Sequence, residues 1–147
     1  MSERTILLVE DNPDDEALTL RAFKKSDIRS EVVVLRDGAE ALAYLFPGNG
    51  DTVPRPALIL LDLNLPKVGG LEVLRRMRAD ERTQLIPVVV LTSSKLDEDI
   101  LDSYRNGANA YVRKPVNFAD FAAAVRTLGV FWLFLNEPVP GPGPTSD

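Results

Sequence analysis

The sequence predicts an α/β fold in which five parallel strands form one sheet with helices on both faces. Five short apolar runs alternate with segments whose apolar residues recur at helical spacing. The runs are apolar throughout instead of alternating with polar residues, which is typical of strands that are buried on both sides. With 147 residues, the chain is long enough for one such domain and its core.

The expected strands and helices alternate along the chain. We expect strands at residues 5–9, 31–35, 57–61, 87–91 and 109–113. We expect helices at residues 13–26, 38–46, 70–79, 96–106 and 117–136. Residues 47–56 are rich in proline and glycine, so we expect a loop there.

Residues that favour helix ends support these boundaries. Asn12 is a good N-cap, Pro13 suits the first helical position, and the acids at 14–16 favour the positive end of the helix dipole. Asp37 is the expected cap of the second helix, and Gly107 suits the end of the fourth. Each cap lies beside an apolar run, as the strand–helix alternation requires.

The composition excludes several classes of protein. The chain has no cysteine and no histidine, which excludes disulfides, thiolate catalysis, histidine-bound zinc and Ser-His-Asp catalysis. The net charge of −5 argues against direct binding to nucleic acid. The sequence shows neither a signal peptide nor an unbroken apolar run that could span a membrane. We therefore expect a cytoplasmic protein with no membrane partner.

Polar side chains follow the ends of four predicted strands. Glu10 and Asp11 follow the first strand, Asp62 the third and Lys114 the fifth, while Thr92 follows the fourth. Because the carboxyl ends of parallel strands meet at one edge of the sheet, we expect these side chains to share a crevice. Carboxylates placed together repel one another, and Mg²⁺ with its preference for oxygen ligands would offset that repulsion. A metal, an ammonium and a hydroxyl around a carboxylate nucleophile suit phosphoryl transfer.

These residues resemble the receiver domain of two-component response regulators. The matching features are the acidic pair Glu10-Asp11, the spacing of Asp62, Pro66 and Gly70, the pair Thr92-Ser93, the aromatic Tyr111, and Lys114-Pro115. The resemblance covers residues 4 to about 130. A narrower resemblance, in residues 55–70, the preceding loop and the Phe-Trp pair at 131–132, is to single-domain regulators that partner phytochrome-type histidine kinases.

The resemblance implies a fold and a domain organisation. The fold would be a (βα)5 flavodoxin-like three-layer sandwich with the strand order 2-1-3-4-5. Residues 1–136 would form the receiver domain, and residues 137–147 a disordered tail rich in proline and glycine. Because no output domain is expected after residue 136, the protein would act by binding a downstream relay protein or target.

The resemblance also implies roles for individual residues. Asp62 would accept a phosphoryl group from a kinase phosphohistidine, and Thr92 and Lys114 would contact that group. Mg²⁺ would be held by four residues, Asp11 directly, Glu10 through water, Asp62, and the backbone carbonyl of Asn64. Thr92 and Tyr111 would form a conformational switch. A cis bond before Pro115 would turn Lys114 into the site.

The last helix carries more apolar residues than one buried face needs. The face expected to pack on the sheet consists of Phe118, Phe121, Val125, Leu128, Trp132 and Leu135. The remaining apolar residues are Val130, Phe131, Leu133 and Phe134. We expect these four to form a homodimer interface, and cover by the tail or by the 47–56 loop is the alternative.

Three other functions are compatible with parts of the pattern. An aspartyl-nucleophile phosphatase normally has a second acid two residues after the nucleophile, but Asn64 stands there. A flavin carrier needs a phosphate-binding loop after the first strand, where this chain is acidic. A degenerate receiver would act only as a protein–protein interaction module, and the intact Asp11, Asp62, Thr92 and Lys114 argue against it. We therefore expect that the protein is not an enzyme, except that it catalyses its own phosphotransfer and dephosphorylation.

Overall fold

A computed structural model describes residues 4–26, 28, 30–48 and 55–140. The five strands are β1 (Thr5–Val9), β2 (Glu31–Leu35), β3 (Leu58–Leu61), β4 (Val88–Thr92) and β5 (Ala110–Arg113). All neighbouring strands pair in parallel, in the order β2-β1-β3-β4-β5. The expected doubly wound sheet and its strand order are therefore confirmed.

Helices connect the strands and cover the sheet. They are α1 (Pro13–Lys25), α2 (Gly38–Leu45), α3 (Gly70–Arg78), α4 (Asp97–Arg105) and α5 (Phe118–Val130), and a π-helical turn (Phe131–Leu135) continues α5. Residues 49–54 of the expected loop and residues 141–147 of the expected tail lie outside the described residues.

Side-chain caps fix the starts of three helices. Asn12 Oδ1 accepts hydrogen bonds from the backbone N–H groups of Asp14 and Asp15, at 2.9 and 3.1 Å. Asp37 caps α2 through the N–H of Glu40, and Asn117 caps α5 in the same way at 2.8 Å. These bonds satisfy N–H groups that have no partner within the helix, so the chain turns sharply from strand to helix at the sheet edge.

The core lies in two layers, one on each face of the sheet. Alternate residues of the strands point to opposite faces, so Leu7 and Ile59 belong to the layer under α2 and α3, and Leu8 and Leu60 to the layer under α1 and α5. All four residues of β3 are buried, which accounts for its unbroken apolar sequence. Asp62 follows this strand directly, so a fully buried strand carries the expected phosphoacceptor to the crevice.

The buried face of α5 differs from the predicted one at both ends. Phe118, expected to pack on the sheet, is 72% exposed. Leu133, expected in the homodimer interface, is 4% exposed and packs in the core, whereas Leu135, expected in the core, is 69% exposed. The buried row advances four residues at a time through Phe121, Val125, Gly129 and Leu133. Gly129 has no side chain, so the apolar pattern did not reveal this row.

Residues 118–135 form a continuous helical segment with a mean hydropathy of 1.6. By length and composition alone, the segment could cross a membrane. Its inner face packs against the sheet beside α1, and a core helix of a soluble domain satisfies the same criteria. Packing against the sheet therefore explains the apolar residues on the inner face of this segment. Its outer face still carries exposed apolar residues.

Candidate functional site

Three carboxylates meet at the carboxyl edge of the sheet, where β1 and β3 are neighbours. Glu10, Asp11 and Asp62 each present one oxygen, and these oxygens all lie within 4.8 Å of one another. Glu10 and Asp62 are buried, while Asp11 is exposed. The strand order therefore brings together the acids that the sequence places at two separate strand ends.

Lys114 lies in the same crevice and joins its acids. Its Nζ is 2.7 Å from Glu10 Oε1, 2.8 Å from Asp15 Oδ2 and 3.0 Å from Asp62 Oδ2. Its backbone N–H donates to the Thr92 carbonyl at 2.7 Å, which holds the start of the β5–α5 connection against β4. The expected cis bond before Pro115 is absent, because the Lys114–Pro115 bond is trans. The lysine reaches the site without it.

Burial and charge alter the acidity of two groups in the crevice. Burial raises the pKa of Glu10 from its ordinary value of 4.5 to about 7, although the neighbouring Lys114 ammonium opposes this rise. For Lys114, burial lowers the pKa, but hydrogen bonds to Asp15 and Glu10 and the charge of Asp62 outweigh it, so the pKa lies above its usual range. Lys114 thus stays charged, whereas burial favours the protonated form of Glu10.

The loop after β3 holds the backbone around Asp62 in place. Asp62 Oδ1 accepts a hydrogen bond of 3.2 Å from the backbone N–H of Asn64, whose side chain is exposed. Gly70 begins α3 so close to the Asp62 carbonyl that a Cβ there would overlap it, and would lie only 2.8 Å from Leu63 Cα. The glycine that follows Asp62 by eight residues is therefore required by close backbone approach.

The two predicted switch residues are linked through Ser94. Thr92 is fully buried, and its Oγ1 accepts a 3.5 Å contact from the Ser94 N–H. The Tyr111 hydroxyl donates to the Ser94 carbonyl at 3.1 Å. Ser94 Oγ in turn donates to Asp99 Oδ2 at 2.5 Å, on the first turn of α4. The connection between β4 and α4 therefore touches both switch residues.

The donor set suits a hard divalent cation. Glu10, Asp11 and Asp62 offer only oxygen atoms, which Mg²⁺ and Mn²⁺ prefer over softer metals. Lys114 contacts Glu10, Asp15 and Asp62, and Asp11 adds a fourth carboxylate to the region, so one ammonium does not compensate the negative charge of these acids. A divalent cation would neutralise part of that excess, and the residues present therefore fit such an ion.

Asp15 is a member of the site that the sequence reasoning missed. From the sequence, Asp15 is only an acid that the helix dipole favours in the first turn of α1. Helix side chains point toward the N-terminus of their helix, so an acid in the first turn leans back over the edge of the sheet. That direction was the available signal, but it does not identify Lys114 as the partner.

The expected dimer residues lie at the far end of α5. Val130, Phe131 and Phe134 are exposed, the last two by 44% and 64%, whereas Leu133 is buried and cannot contribute. The ring of Phe131 meets that of Trp132 edge to face, with centroids 5.2 Å apart. The exposed apolar residues between positions 130 and 135 are Val130, Phe131, Phe134 and Leu135, which we call the α5 end patch.

Comparison with known proteins agrees with this geometry. Residues 6–126 match the model of the response regulator receiver domain. The chain is 45% identical to the probable methanogenesis regulatory protein FilR2 of Methanothrix harundinacea (strain 6Ac), over 93% of this chain and 88% of that protein. It is 44% identical to the response regulator Rcp1 of Synechocystis sp. (strain ATCC 27184 / PCC 6803 / Kazusa), over 88% and 89%.

Solved structures give the same result. The phosphorylated cyanobacterial phytochrome response regulator RcpA superposes with a TM-score of 0.88 at 41% identity, covering 95% of this chain and all of RcpA. The Mn²⁺-bound form of Rcp1 superposes with a TM-score of 0.86 at 41% identity, covering 93% and 99%. The family match, the strand order and the acids at the sheet edge agree, and the chain belongs to the response regulator receiver family.

Proposed function

We propose that this response regulator accepts a phosphoryl group on Asp62 from the phosphohistidine of a sensor histidine kinase and then signals by binding other proteins. The observation that carries the proposal is the position of Asp62, buried at the end of β3 with Lys114 Nζ at 3.0 Å and two further carboxylates close by. The match to most of the length of FilR2 and Rcp1 supports a regulatory role for this domain.

The transfer uses the residues of the crevice in turn. A carboxylate oxygen of Asp62 attacks the phosphorus, the bond from phosphorus to the histidine nitrogen breaks, and its electron pair stays on that nitrogen. The product is an acyl phosphate on Asp62. Lys114 donates to one phosphoryl oxygen, and the Thr92 hydroxyl donates to another. Water attack on the same phosphorus returns the free carboxylate, so the protein catalyses only its own phosphorylation and dephosphorylation.

Mg²⁺ is the metal that we propose for this site. Glu10, Asp11, Asp62 and the backbone carbonyl of Asn64 would hold it, with Glu10 acting through water. When bound, it supplies positive charge that offsets the charge of the carboxylates and the phosphoryl group. The Mn²⁺-bound form of Rcp1 supports a divalent ion in this family. The proposed preference for Mg²⁺ follows from its fit to oxygen ligands and phosphate.

Phosphorylation changes the conformation of Thr92 and Tyr111, and through them the surface around α4 and β5. When the Thr92 hydroxyl moves to the phosphoryl group, its weak contact with the Ser94 N–H is lost, and Tyr111 changes rotamer into the space released. The Ser94 hydroxyl holds Asp99, so the same movement reaches α4. The surface around α4 and β5 then differs between the two states, which is what a binding partner would detect.

The kinase and the other partners are proposed from the relatives and the surface. RcpA is a phytochrome response regulator, which supports a phytochrome-type kinase as the phosphoryl donor. We propose that both proteins act in the cytoplasm. FilR2 is as similar and is named for methanogenesis, so overall identity alone does not select the signal. The α5 end patch supports a homodimer, and a downstream relay protein or target would bind the phosphorylated form.

Intact mass measurement tests the acceptor. The protein is incubated with Mg²⁺ and acetyl phosphate beside Asp62→Asn and, as a matched control, Asp97→Asn, which neutralises an exposed acid on α4. We expect one added phosphoryl group on the wild type and on Asp97→Asn, and none on Asp62→Asn. Stoichiometric labelling of a folded Asp62→Asn protein would refute the assignment.

A further inference from the structure

The proposed transfer leaves one contact of Lys114 without a role. Asp15 Oδ2 lies 2.8 Å from Lys114 Nζ, slightly closer than Asp62 Oδ2 at 3.0 Å. Asp15 belongs to α1, whereas the other two acids on this lysine follow strands of the sheet. The lysine that must serve the phosphoryl group is therefore also bound to a carboxylate that takes no part in the reaction.

The hydrogen-bonding capacity of Lys114 makes this contact consequential. An ammonium has three N–H donors, and Lys114 meets three carboxylates, those of Glu10, Asp15 and Asp62. To donate to a phosphoryl oxygen, Lys114 has to give up one of these partners. The exchange costs least at the carboxylate that water can solvate best after the lysine leaves.

Asp15 is that carboxylate. Its side chain is 22% exposed, compared with 3% for Glu10 and 8% for Asp62. It also lies at the N-terminus of α1, where the helix dipole favours a negative charge. Its position is fixed, because its backbone N–H donates to Asn12 Oδ1 at 3.1 Å and its carbonyl accepts from Thr19 Oγ1 at 2.8 Å.

We propose that Asp15 is a positioning residue that holds Lys114 in the unphosphorylated state and competes with the phosphoryl group for the ammonium. The inference rests on the proposed phosphorylation of Asp62. The free state keeps Lys114 on the α1 side of the crevice, and formation of the acyl phosphate draws it away from Asp15. Asp15 thereby lowers the affinity of the site for a phosphoryl group and limits how far phosphorylation proceeds.

Beryllium trifluoride, a stable phosphoryl mimic, tests this competition by isothermal titration in saturating Mg²⁺. Asp15→Asn removes the charge and keeps the shape. We expect this variant to bind the mimic at least about fivefold more tightly than the wild type does, the lower end of typical coupling between two linked sites. The matched control is Asp14→Asn, which neutralises the adjacent exposed acid in the same helical turn. We expect the control to change the affinity by less than about twofold, since exposed charges are well screened.

A double-mutant cycle with Lys114→Met identifies the route of the effect. If Asp15 acts through Lys114, Asp15→Asn has no further effect on mimic affinity in the Lys114→Met protein. An effect that persists undiminished there, equal effects of Asp15→Asn and Asp14→Asn, or weaker binding by Asp15→Asn would each overturn the inference. If the wild type binds no mimic while Mg²⁺ still raises its melting temperature, the proposed acceptor function fails, and the inference fails with it.

Discussion

Glu10 is a buried acid of the crevice, and the fold changes its ionisation. Its pKa is raised by burial to about 7, from an ordinary value of 4.5. Between these values the folded protein binds a proton that the unfolded chain has released. The contribution of Glu10 to stability is therefore greatest below about pH 4.5 and falls as the pH rises through 7.

This reasoning predicts a pH dependence in metal-free protein. With a chelator present, the melting temperature of the wild type should fall relative to that of Glu10→Gln between pH 5 and 8, because glutamine does not ionise. Saturating Mg²⁺ should reduce the difference, since a cation stabilises the carboxylate. Thermal unfolding followed by circular dichroism measures both effects. A constant gap between the two proteins across this range would contradict the raised pKa of Glu10.

Residues at strand ends were predictable, and residues that meet across elements were not. Glu10, Asp62 and Lys114 each follow an apolar run, so the rule for parallel sheets places them together. Asp15 lies in the first turn of α1 and not at a strand end, so the same rule does not bring it to Lys114. The trans bond before Pro115 departs from the expectation, which came from resemblance and not from the residues of this chain.

At the scale of elements, strands were predicted closely and the last helix less so. A strand buried on both faces is recognisable from its unbroken apolar run, as β3 and β4 show. The buried face of α5 is harder to predict, because Gly129 belongs to it and has no side chain. A Cβ at Gly129 would lie 2.5 Å from Ile28 Cδ1 and 2.8 Å from Phe23 Cε1, so a larger residue there would displace these side chains. The periodicity of apolar side chains cannot reveal a contact at Gly129, because glycine has no side chain.

The connection between β4 and α4 yields a prediction at the same scale. Ser94→Ala removes the hydroxyl that donates to Asp99 and accepts from the Leu96 N–H at 3.3 Å, at the start of α4. We expect a loss of about 1 kcal/mol in the free energy of unfolding and faster amide exchange in the first turn of α4. Hydrogen exchange and urea unfolding measure these effects, with Ser93→Ala, at an exposed neighbour, as the control. Unchanged exchange in α4 would mean that Ser94 does not hold this helix.

At the scale of the whole molecule, the polar crevice and the α5 end patch lie at opposite edges of the fold. The acids and Lys114 follow the C-terminal ends of the strands, whereas the α5 end patch follows a helix that runs back along the sheet. A helix in a parallel βα unit runs antiparallel to its strands, so its C-terminal end is remote from the crevice. Phosphorylation chemistry and self-association can therefore occupy separate surfaces of a small domain.

This separation predicts that the oligomeric state can be changed without loss of phosphorylation. Phe131→Glu combined with Phe134→Glu places two charges in the α5 end patch. In size-exclusion chromatography with light scattering, we expect a dimer for the wild type and a monomer for this variant. Phe134→Glu alone, at the more exposed position, guards against misfolding caused by loss of the Phe131–Trp132 contact. Leu101→Glu, on exposed α4 surface, is the matched control and should remain dimeric. If the wild type and the variant have equal mass in solution, this patch does not join two copies. If the variant is a monomer and still takes up one phosphoryl group on Asp62, the two surfaces act independently.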